Sequence, residues 1–321
     1  MTADDRLLIF ALGGSAEYGN RVCHRLGRSL DPLEERGFED GEHKSRPMVD
    51  VRNRATVVIH SLYGDDSQSG DEKLTRLLFF IGALKESGAA RVTAVAPYLC
   101  YARKDRQTKP RDPVVTKYVA RLFEAVGTDH IVTVDVHNLA AFQNAFRCRT
   151  DHLEAEPLFV AHFAPLIGDS AVTVVSPDVG GVKRAESFRR ALAAATGREP
   201  TSGFMEKHRS SGAISGETLV GDVRGRTVIV YDDLISTGTT MQRAVQACRD
   251  GGALKIHAAA THGLFIGKAG EMIADPLFDS GVVTDTVPPF RLERSPALKK
   301  LTVLDSSGLI ADLIRAERPG A

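Results

Sequence analysis

The sequence has no excess of charge of either sign and no long apolar run. Lysine plus arginine and aspartate plus glutamate both number 41, so the chain has no overall basic field that would attract nucleic acid. Any anion-binding site must therefore be local. The N-terminal apolar run LLIFAL is far shorter than the ~20 residues that a membrane-spanning helix needs, and no charged leader region or cleavage site accompanies it. We therefore expect neither export nor a membrane segment, and LLIFAL is interpreted as a first β-strand.

Closely spaced cysteines are also missing. The four cysteines, Cys23, Cys100, Cys148 and Cys248, are scattered and form no C-x-x-C motif. Redox and metal sites made of cysteine usually need such spacing, and disulfides are rare in reducing compartments. The pattern predicts reduced thiols and a cytoplasmic protein.

Apolar strand-like segments alternate with segments of helical spacing. The predicted strands are LLIFAL, TVVIHSL, RVTAVAPY, HIVTVDVH, AVTVVSP, RTVIVYDD and IHAAATHGLF. Residues 72–88 and 114–127 have helical spacing, and each segment ends in a glycine (Gly88, Gly127) suited to a C-terminal cap. This alternation predicts an α/β fold of mainly parallel sheets flanked by helices, in which ligands bind at the carboxyl ends of the strands.

The strand and loop pattern occurs twice. Residues 91–106 and 171–186 are both a strand that ends in proline and continues into a basic loop, and the strand that follows each of them leads into acidic residues. With 321 residues in total, two domains are expected. We predict two similar α/β domains, residues 1–150 and 151–300, without a low-complexity linker between them. Residues 301–321 are predicted to form a C-terminal helix that packs back on the first domain.

The stretch VIVYDDLISTGTTM, residues 228–241, places two adjacent acids after a buried strand. Adjacent carboxylates repel each other and need partners that an apolar core does not offer. The acids are Asp232 and Asp233, and the small-residue loop after them consists of Ser236, Thr237, Gly238, Thr239 and Thr240. A strand, a small-residue loop and a helix N-terminus together direct several backbone N–H groups at one point, which suits a phosphate. The simpler alternative, an N-capped turn, would explain a serine or threonine but not two acids.

This unit resembles the phosphoribosyl-diphosphate signature of type I phosphoribosyltransferases. Four more segments occur in order: FEDGE (38–42), PYLCYARKDR (97–106), TVDVHNLAAFQNAF (133–146) and SPDVGGVKRA (176–185). They are similar to the F-x-D-G-E, PY-x-YAR-x-DR, DLHA…QGFF and SPD-x-GG-x-x-RA segments of ribose-phosphate pyrophosphokinases (PRPP synthetases). The likeness extends over most of the chain, and we identify the sequence as a divergent member of that family.

The resemblance implies two phosphoribosyltransferase type I-like domains and an ATP-dependent reaction. Ribose 5-phosphate and MgATP would give 5-phosphoribosyl 1-diphosphate and AMP. Loop 236–240 would hold the 5-phosphate, and Asp232 and Asp233 would hold the ribose hydroxyls. In the basic loop, Arg103, Lys104 and Asp105 lie at positions of the family's ATP site, although without the family they would be interpreted as a solvated charge run.

The segment FEDGE matches a family loop that reaches the adenine of a neighbouring subunit. Phe38 would stack on the base, and Asp40 and Glu42 would accept hydrogen bonds from it. The resemblance therefore implies a homo-oligomer, a dimer or a hexamer. Without it, FEDGEHK is simply an acidic turn.

Four further residues match family positions that bind the metal or act in the transfer of the diphosphoryl group. His137 and Asp178 match residues that hold Mg²⁺ directly or through water, a sparse donor set that suits magnesium because phosphates supply the other oxygens. Residues 205–222 are polar, rich in glycine and serine and poor in strand signals, and they resemble the family's flexible catalytic loop. Lys207 and Arg209 match its two basic catalytic positions. Taken alone, without the resemblance, this segment would be interpreted as a disordered surface hairpin.

Several positions depart from the family pattern. Ser236 replaces the usual loop acid, Gly37 replaces an arginine, and residues 71–77 and 107–111 also differ. Because backbone amides form the phosphate loop, we expect it to survive the change at position 236. Two alternatives stay open, a phosphoribosyltransferase that uses a nucleobase and a catalytically weak regulatory homologue. The ATP-like segments disfavour the first, and the presence of the basic pair and the acid pair disfavours the second.

Overall fold

A computed structural model describes residues 7–210 and 213–317, and it describes the side chains of all of these except residues 207–217. The strands are β1 (Leu7–Ala11), β2 (Leu33–Gly37), β3 (His43–Pro47), β4 (Ala55–Ile59), β5 (Arg91–Ala96), β6 (His130–Val134), β7 (Arg149–Leu153), β8 (Val172–Ser176), β9 (Thr201–Ser210), β10 (Ala213–Val220), β11 (Thr227–Ile235), β12 (Lys255–Gly263), β13 (Ser280–Thr284) and β14 (Leu301–Leu304). The α-helices are α1 (Ala16–Arg25), α2 (Gly70–Glu86), α3 (Val115–Ala125), α4 (Leu139–Ala145), α5 (Glu156–Ile167), α6 (Val182–Thr196), α7 (Thr239–Asp250), α8 (Ala269–Ala274) and α9 (Ser307–Ala316). All of the apolar segments predicted to be strands are confirmed, as are the two predicted helices.

The chain divides into two compact units. One extends to Leu153 and also includes the segment from Ser307 onward, and the other runs from Glu154 to Ser306. The first unit is built on a parallel sheet in the order β1-β4-β5-β6-β7. All of β6 is buried, and so are β4 and β5 after their first residues, as is typical of a parallel sheet covered on both faces. Phe80 of α2 packs edge-on against Phe10 of β1, with ring centroids 5.4 Å apart.

Local hydrogen bonds fix the ends of the helices that follow the strands. Ser69 and Glu72 form a reciprocal capping box at the start of α2. At its end the N–H groups of Gly88 and Ala89 bond back to the carbonyls of Lys85 and Leu84, each at 3.0 Å. This is a Schellman arrangement, and the same pattern ends α3 at Gly127. The two predicted glycine caps are confirmed.

Helix α9 packs against α1 within the first unit. Arg25 donates from Nε to Ser307 Oγ at 3.0 Å, and Arg315 donates back to the Arg25 carbonyl at 3.0 Å. The apolar side of α9, including Ile310 and Ile314, is buried. The helix thus covers apolar surface of the first unit.

The second unit has a larger sheet in the order β10-β9-β8-β11-β12-β13-β14. Its strands are parallel except for the antiparallel pair β9–β10. The prediction of mainly parallel sheets flanked by helices is confirmed. Because β11 lies between β8 and β12, the acid pair it carries is placed in the middle of the sheet.

The expectation of a strand-poor segment over residues 205–222 is wrong. The backbone forms most of β9 and all of β10, which pair with each other as a hairpin, and β9 continues the sheet by pairing with β8. Glycine and serine dominate the composition near the turn and mask the strand signal. Residues Thr201–Phe204, directly before this segment, pair with β8 and start β9 as a strand of the sheet. The backbone stays extended beyond them because β9 also pairs with β10.

The structure bears on two expectations, the one about a membrane segment and the one about the cysteines. Among the described helices, none combines the length and the apolar composition needed to span a bilayer. The four cysteines form no disulfide. Burial raises the pKa of Cys100 and Cys248 to about 12, so these thiols are protonated and weakly nucleophilic.

A buried ion pair holds the loop before α2. The Lys73 side chain is 1% exposed, pairs with Asp65 and lies 3.6 Å from the centroid of the Tyr63 ring. Partial burial raises the pKa of Asp65, but hydrogen bonds from Lys73 and Ser67 lower it more, so the pKa lies well below its ordinary value.

Replacing Asp65 by asparagine should destabilise the fold by about 2 kcal/mol near neutral pH, because the Lys73 charge loses its partner. A carboxyl whose pKa is depressed by folding stabilises the protein above its unfolded pKa of about 4, and this contribution fades as the pH falls. Urea denaturation should therefore show a difference from the parent protein that shrinks below about pH 4. Asp66→Asn, at the exposed neighbouring position, is the matched control; equal stability of the two variants would contradict the prediction.

Candidate active site

The acid pair lies at the carboxyl end of β11. Val228 to Tyr231 are buried, and strand pairing continues past the acids, so both lie inside the strand rather than after it. The Asp233 side chain is 6% exposed and that of Asp232 is 18% exposed. Burial, followed by the charge of Asp233, raises the pKa of Asp232 well above its ordinary value. Two carboxylates so placed need a cation close by.

Arg184 supplies that cation. Its NH1 atom lies 3.1 Å from Oδ1 of Asp232 and 3.1 Å from Oδ1 of Asp233, and it donates to both. The residue belongs to the first turn of α6, which follows β8, the neighbour of β11. Arg184 was not predicted as a site residue, although it belongs to the segment SPDVGGVKRA. Its only signal in the sequence was a basic residue in the segment that follows a predicted strand.

The loop after β11 has the geometry of an anion site. Gly238 has φ of +80°, a conformation that favours glycine, and an added Cβ would lie 2.5 Å from Sδ of Met272. Helix α7 begins at the next residue without a side-chain cap at its N-terminus. The exposed hydroxyls of Thr237 and Thr239 lie 3.2 Å apart beside this end. Uncapped backbone N–H groups and the positive end of the helix dipole suit a phosphate.

One face of α7 is apolar and packs inward. Its inward residues are Met241, Ala244, Val245 and Cys248, and all are buried. The helix is therefore fixed against the sheet. Its N-terminus stays at the carboxyl edge, next to the loop of residues 236–240.

Asp178 lies on the loop after β8, at the same edge of the second sheet. Its Oδ1 accepts a hydrogen bond from the Gly181 N–H at 3.0 Å, which closes a short 3₁₀ turn (Val179–Gly181). Ser176 Oγ donates to the Asp178 carbonyl at 2.6 Å. The carboxylate is half-buried, and the loop that carries it is held by hydrogen bonds at both ends.

In the first unit, the basic loop and the histidine turn are joined by one hydrogen bond. Asn138 donates from Nδ2 to Asp105 Oδ2 at 2.7 Å, and its own Oδ1 caps α4. His137, next to it in the chain, is exposed, as are Arg103 and Lys104. Asn138 was not predicted as a site residue, and its only signal in the sequence was its position beside His137.

Phe38, Asp40 and Glu42 form the tip of the β2–β3 hairpin. Phe38 N–H donates to the Glu42 carbonyl at 2.8 Å, and Glu42 N–H donates to Asp40 Oδ1 at 3.0 Å. The Arg36 guanidinium lies 5.2 Å from the centroid of the Phe38 ring. The hairpin tip therefore presents an aromatic ring and exposed carboxylates. Although position 37 is glycine, Arg36 places its guanidinium against the ring of Phe38.

The two basic positions of the predicted catalytic segment are described only by their backbone. Lys207 pairs with Glu217, and Arg209 pairs with Ile214, in the β9–β10 register. Their side chains lie outside the described residues. Their predicted role therefore stays a prediction.

Within the part of the chain that the structure describes, His130, Asp151 and Glu317 are close enough to share a metal ion. Arg149 already pairs with both carboxylates, at 2.8 Å and 2.7 Å. His130 is fully buried, and burial lowers its pKa; its Nε2 lies 2.8 Å from Asp151 Oδ2 without the alignment of a hydrogen bond. Arg91 also lies 3.4 Å from Glu317. Because two guanidinium groups already pair with the two acids, we interpret this cluster as an ion-pair network.

Comparisons with known proteins agree with this architecture. A family model described as the N-terminal domain of ribose phosphate pyrophosphokinase matches residues 7–127, and one described as the phosphoribosyl synthetase-associated domain matches residues 208–318. The ribose-phosphate pyrophosphokinase of Ureaplasma parvum is 34% identical, with 96% of this chain and 94% of the relative covered. That of Caldanaerobacter subterraneus is 35% identical, with 96% and 93% covered.

A solved structure is similar over nearly the whole length. The crystal structure of phosphoribosylpyrophosphate synthetase from Mycobacterium smegmatis matches with a TM-score of 0.87 and 34% identity, covering 97% of this chain and 98% of that chain. The chain belongs to the ribose-phosphate pyrophosphokinase family of enzymes. The family resemblance inferred from the sequence and the expected fold class are confirmed.

Proposed function

We propose that the chain is an active ribose-phosphate diphosphokinase. It transfers the β,γ-diphosphoryl group of MgATP to the anomeric hydroxyl of ribose 5-phosphate and releases AMP. One observation supports this most directly: the acid pair near the end of β11 and the uncapped N-terminus of α7 both lie at the carboxyl edge of one sheet, and a short loop connects the two elements. A sugar phosphate needs such a combination, because its hydroxyls call for acceptors and its phosphate calls for N–H donors.

Loop 236–240 would hold the 5-phosphate. The residues in this role are Ser236, Thr237, Gly238, Thr239 and Thr240. Backbone N–H groups and hydroxyls make the contacts, so replacement of the usual acid by Ser236 removes a negative charge without removing a donor. Asp232 and Asp233 would then accept hydrogen bonds from the ribose hydroxyls.

The first domain, residues 1–150, would bind ATP and provide oligomer contacts. Arg103, Lys104 and Asp105 would contact the nucleotide, and two exposed cations suit its triphosphate. In a homo-oligomer, a dimer or hexamer, the hairpin tip with Phe38, Asp40 and Glu42 would reach the adenine of a neighbouring subunit. The prediction that residues 301–321 belong with the first domain holds only from Ser307 onward, because β14 (Leu301–Leu304) pairs with β13 in the second sheet. The segment from Ser307 onward would complete the first domain, and the second unit, predicted as residues 151–300, would be the ribose 5-phosphate domain of a cytoplasmic enzyme.

Magnesium would be held by His137 and Asp178, directly or through water. The donors fit this ion: Asp178 is a half-buried carboxylate on a fixed loop, and His137 is exposed beside a capped helix start. When bound, Mg²⁺ supplies charge neutralisation at the phosphates. Lys207 and Arg209 would stabilise the charge that develops during in-line attack of the anomeric hydroxyl on the β-phosphorus.

A ³¹P NMR time course with purified protein, MgATP and ribose 5-phosphate tests the proposal. AMP should form together with a sugar-linked diphosphate, in equal amounts, and neither should form without the sugar. Excess EDTA should abolish both products, because the phosphates lose their metal. ADP without the sugar diphosphate would indicate a simple kinase or ATPase, and nucleotide binding without turnover would favour the regulatory homologue. Either result would contradict the proposal.

A further inference from the structure

Arg184 donates a hydrogen bond to each member of the acid pair. The two bonds have equal length, 3.1 Å, and both leave from the same NH1 atom. A third hydrogen bond, from the Asp233 N–H to Asp232 Oδ1 at 2.9 Å, ties the two acids to each other. The three groups therefore form one small network rather than two separate ion pairs.

The chain is shaped so that Arg184 can reach this position. Helix α6 starts immediately after the 3₁₀ turn that ends at Gly181. A Cβ on Gly181 would lie 2.6 Å from Ser176 Oγ and 3.7 Å from Asp232 Oδ1. The absence of a side chain at this position lets the first turn of α6 approach the end of β11.

The negative charges of Asp232 and Asp233 explain why a guanidinium is needed beside them. Asp233 is almost fully buried and Asp232 is largely so, and two adjacent buried carboxylates are not both ionised without a cation. A protonated carboxyl presents an O–H donor where a sugar hydroxyl needs an acceptor. A guanidinium keeps its charge at any physiological pH, and it fixes the rotamers of both acids through directed bonds.

We propose that Arg184 is a positioning residue for ribose recognition, which holds Asp232 and Asp233 in the orientation in which both accept hydrogen bonds from the sugar hydroxyls. The inference rests on the proposed function, since it assigns the sugar of ribose 5-phosphate to this acid pair. It concerns the binding of the sugar and not that of ATP. Arg184 acts through the two acids.

The test compares Arg184→Gln and Arg184→Lys with Arg190→Gln. Arg190 belongs to the same helix, is mostly exposed and pairs with Glu186, so it serves as the matched control. Calorimetric titration with ribose 5-phosphate, in the presence of Mg²⁺ and α,β-methylene-ATP, gives the sugar affinity, and titration with the analogue alone gives the nucleotide affinity. Arg184→Gln should weaken sugar binding by about 10–100-fold and leave nucleotide binding unchanged. Arg184→Lys should recover part of the loss, and Arg190→Gln should change neither.

Steady-state kinetics add a second readout. KM for ribose 5-phosphate should rise in Arg184→Gln by more than kcat falls, with KM for ATP constant, whereas a loss of structure would affect both substrates. Equal loss of both ligands, or sugar binding equal to that of the parent in both Arg184 variants, would overturn the inference. If Arg184→Gln does not fold, Arg184→Lys decides: sugar binding that is weaker at constant nucleotide affinity supports the role, and unchanged sugar binding refutes it. Absence of sugar binding by the parent protein would instead refute the proposed function.

Discussion

Replacing Lys207 by alanine is expected to lower kcat for diphosphoryl transfer by about 10²–10³-fold, the loss that follows removal of one preorganised donor from a developing charge. Attack on the β-phosphorus makes the oxygen that bridges to AMP increasingly negative. A lysine ammonium near that oxygen stabilises the transition state more than the bound substrates. The KM values for ATP and ribose 5-phosphate should therefore change little compared with kcat.

The measurement is initial-rate kinetics with coupled detection of AMP, together with a thermal melting curve. Lys255→Ala is the matched control because Lys255 is exposed at the start of β12 and has no place in the proposed chemistry. An unchanged melting temperature with a large fall in kcat supports the role of Lys207. Turnover equal to that of the control variant would refute it and would leave Arg209 as the remaining basic candidate.

The sequence was sufficient to predict those helices and strands whose apolar residues are buried in the regular pattern of the element. The apolar runs that became β4, β5 and β6 are buried almost throughout, so their composition carries the strand signal directly. The inward face of α7 can likewise be recognised in the sequence, because its buried residues repeat at helical spacing. Such elements need no knowledge of their neighbours to be recognised.

Strands held mainly by pairing were missed. Strands β2 and β3 carry glutamate, arginine and lysine, and they are partly exposed along their length. Their register is set by the tight turn at Phe38–Glu42, where backbone hydrogen bonds close the hairpin. A run of charged residues gives no period-two apolar pattern, so composition indicated only an acidic turn.

The candidate site also contains residues that the sequence predicted and residues that it did not. The acid pair and its loop were predicted because they are contiguous in the chain. Their partner Arg184 lies 48 residues from Asp232 and 49 from Asp233, and Asn138 lies 33 residues from Asp105. Only the order of strands in each sheet brings these groups together, and a single sequence does not contain that order.

Replacing Gly238 by alanine is expected to lower kcat/KM for ribose 5-phosphate by about 100-fold, the loss that follows a shift of a binding group by about 1 Å. Two effects act together. Alanine is strained at φ of +80°, and its Cβ would lie 2.5 Å from Met272 Sδ, so the buried Met272 side chain, α8 or the loop must move. Because the loop is proposed to contact the phosphate through backbone N–H groups, its displacement removes several contacts at once.

Gly225→Ala separates the two effects. Gly225 has φ of +69° and no atom near its would-be Cβ within 4 Å, so alanine there meets the same backbone strain without the steric overlap. The backbone strain should cost each variant about 1 kcal/mol of stability, and the overlap should add to the loss in Gly238→Ala. Only Gly238→Ala should lose activity toward the sugar phosphate. Adding Met272→Ala to Gly238→Ala relieves the overlap and should restore part of kcat/KM. Equal kinetics in the two single variants would contradict the prediction that Gly238→Ala displaces a phosphate-binding loop.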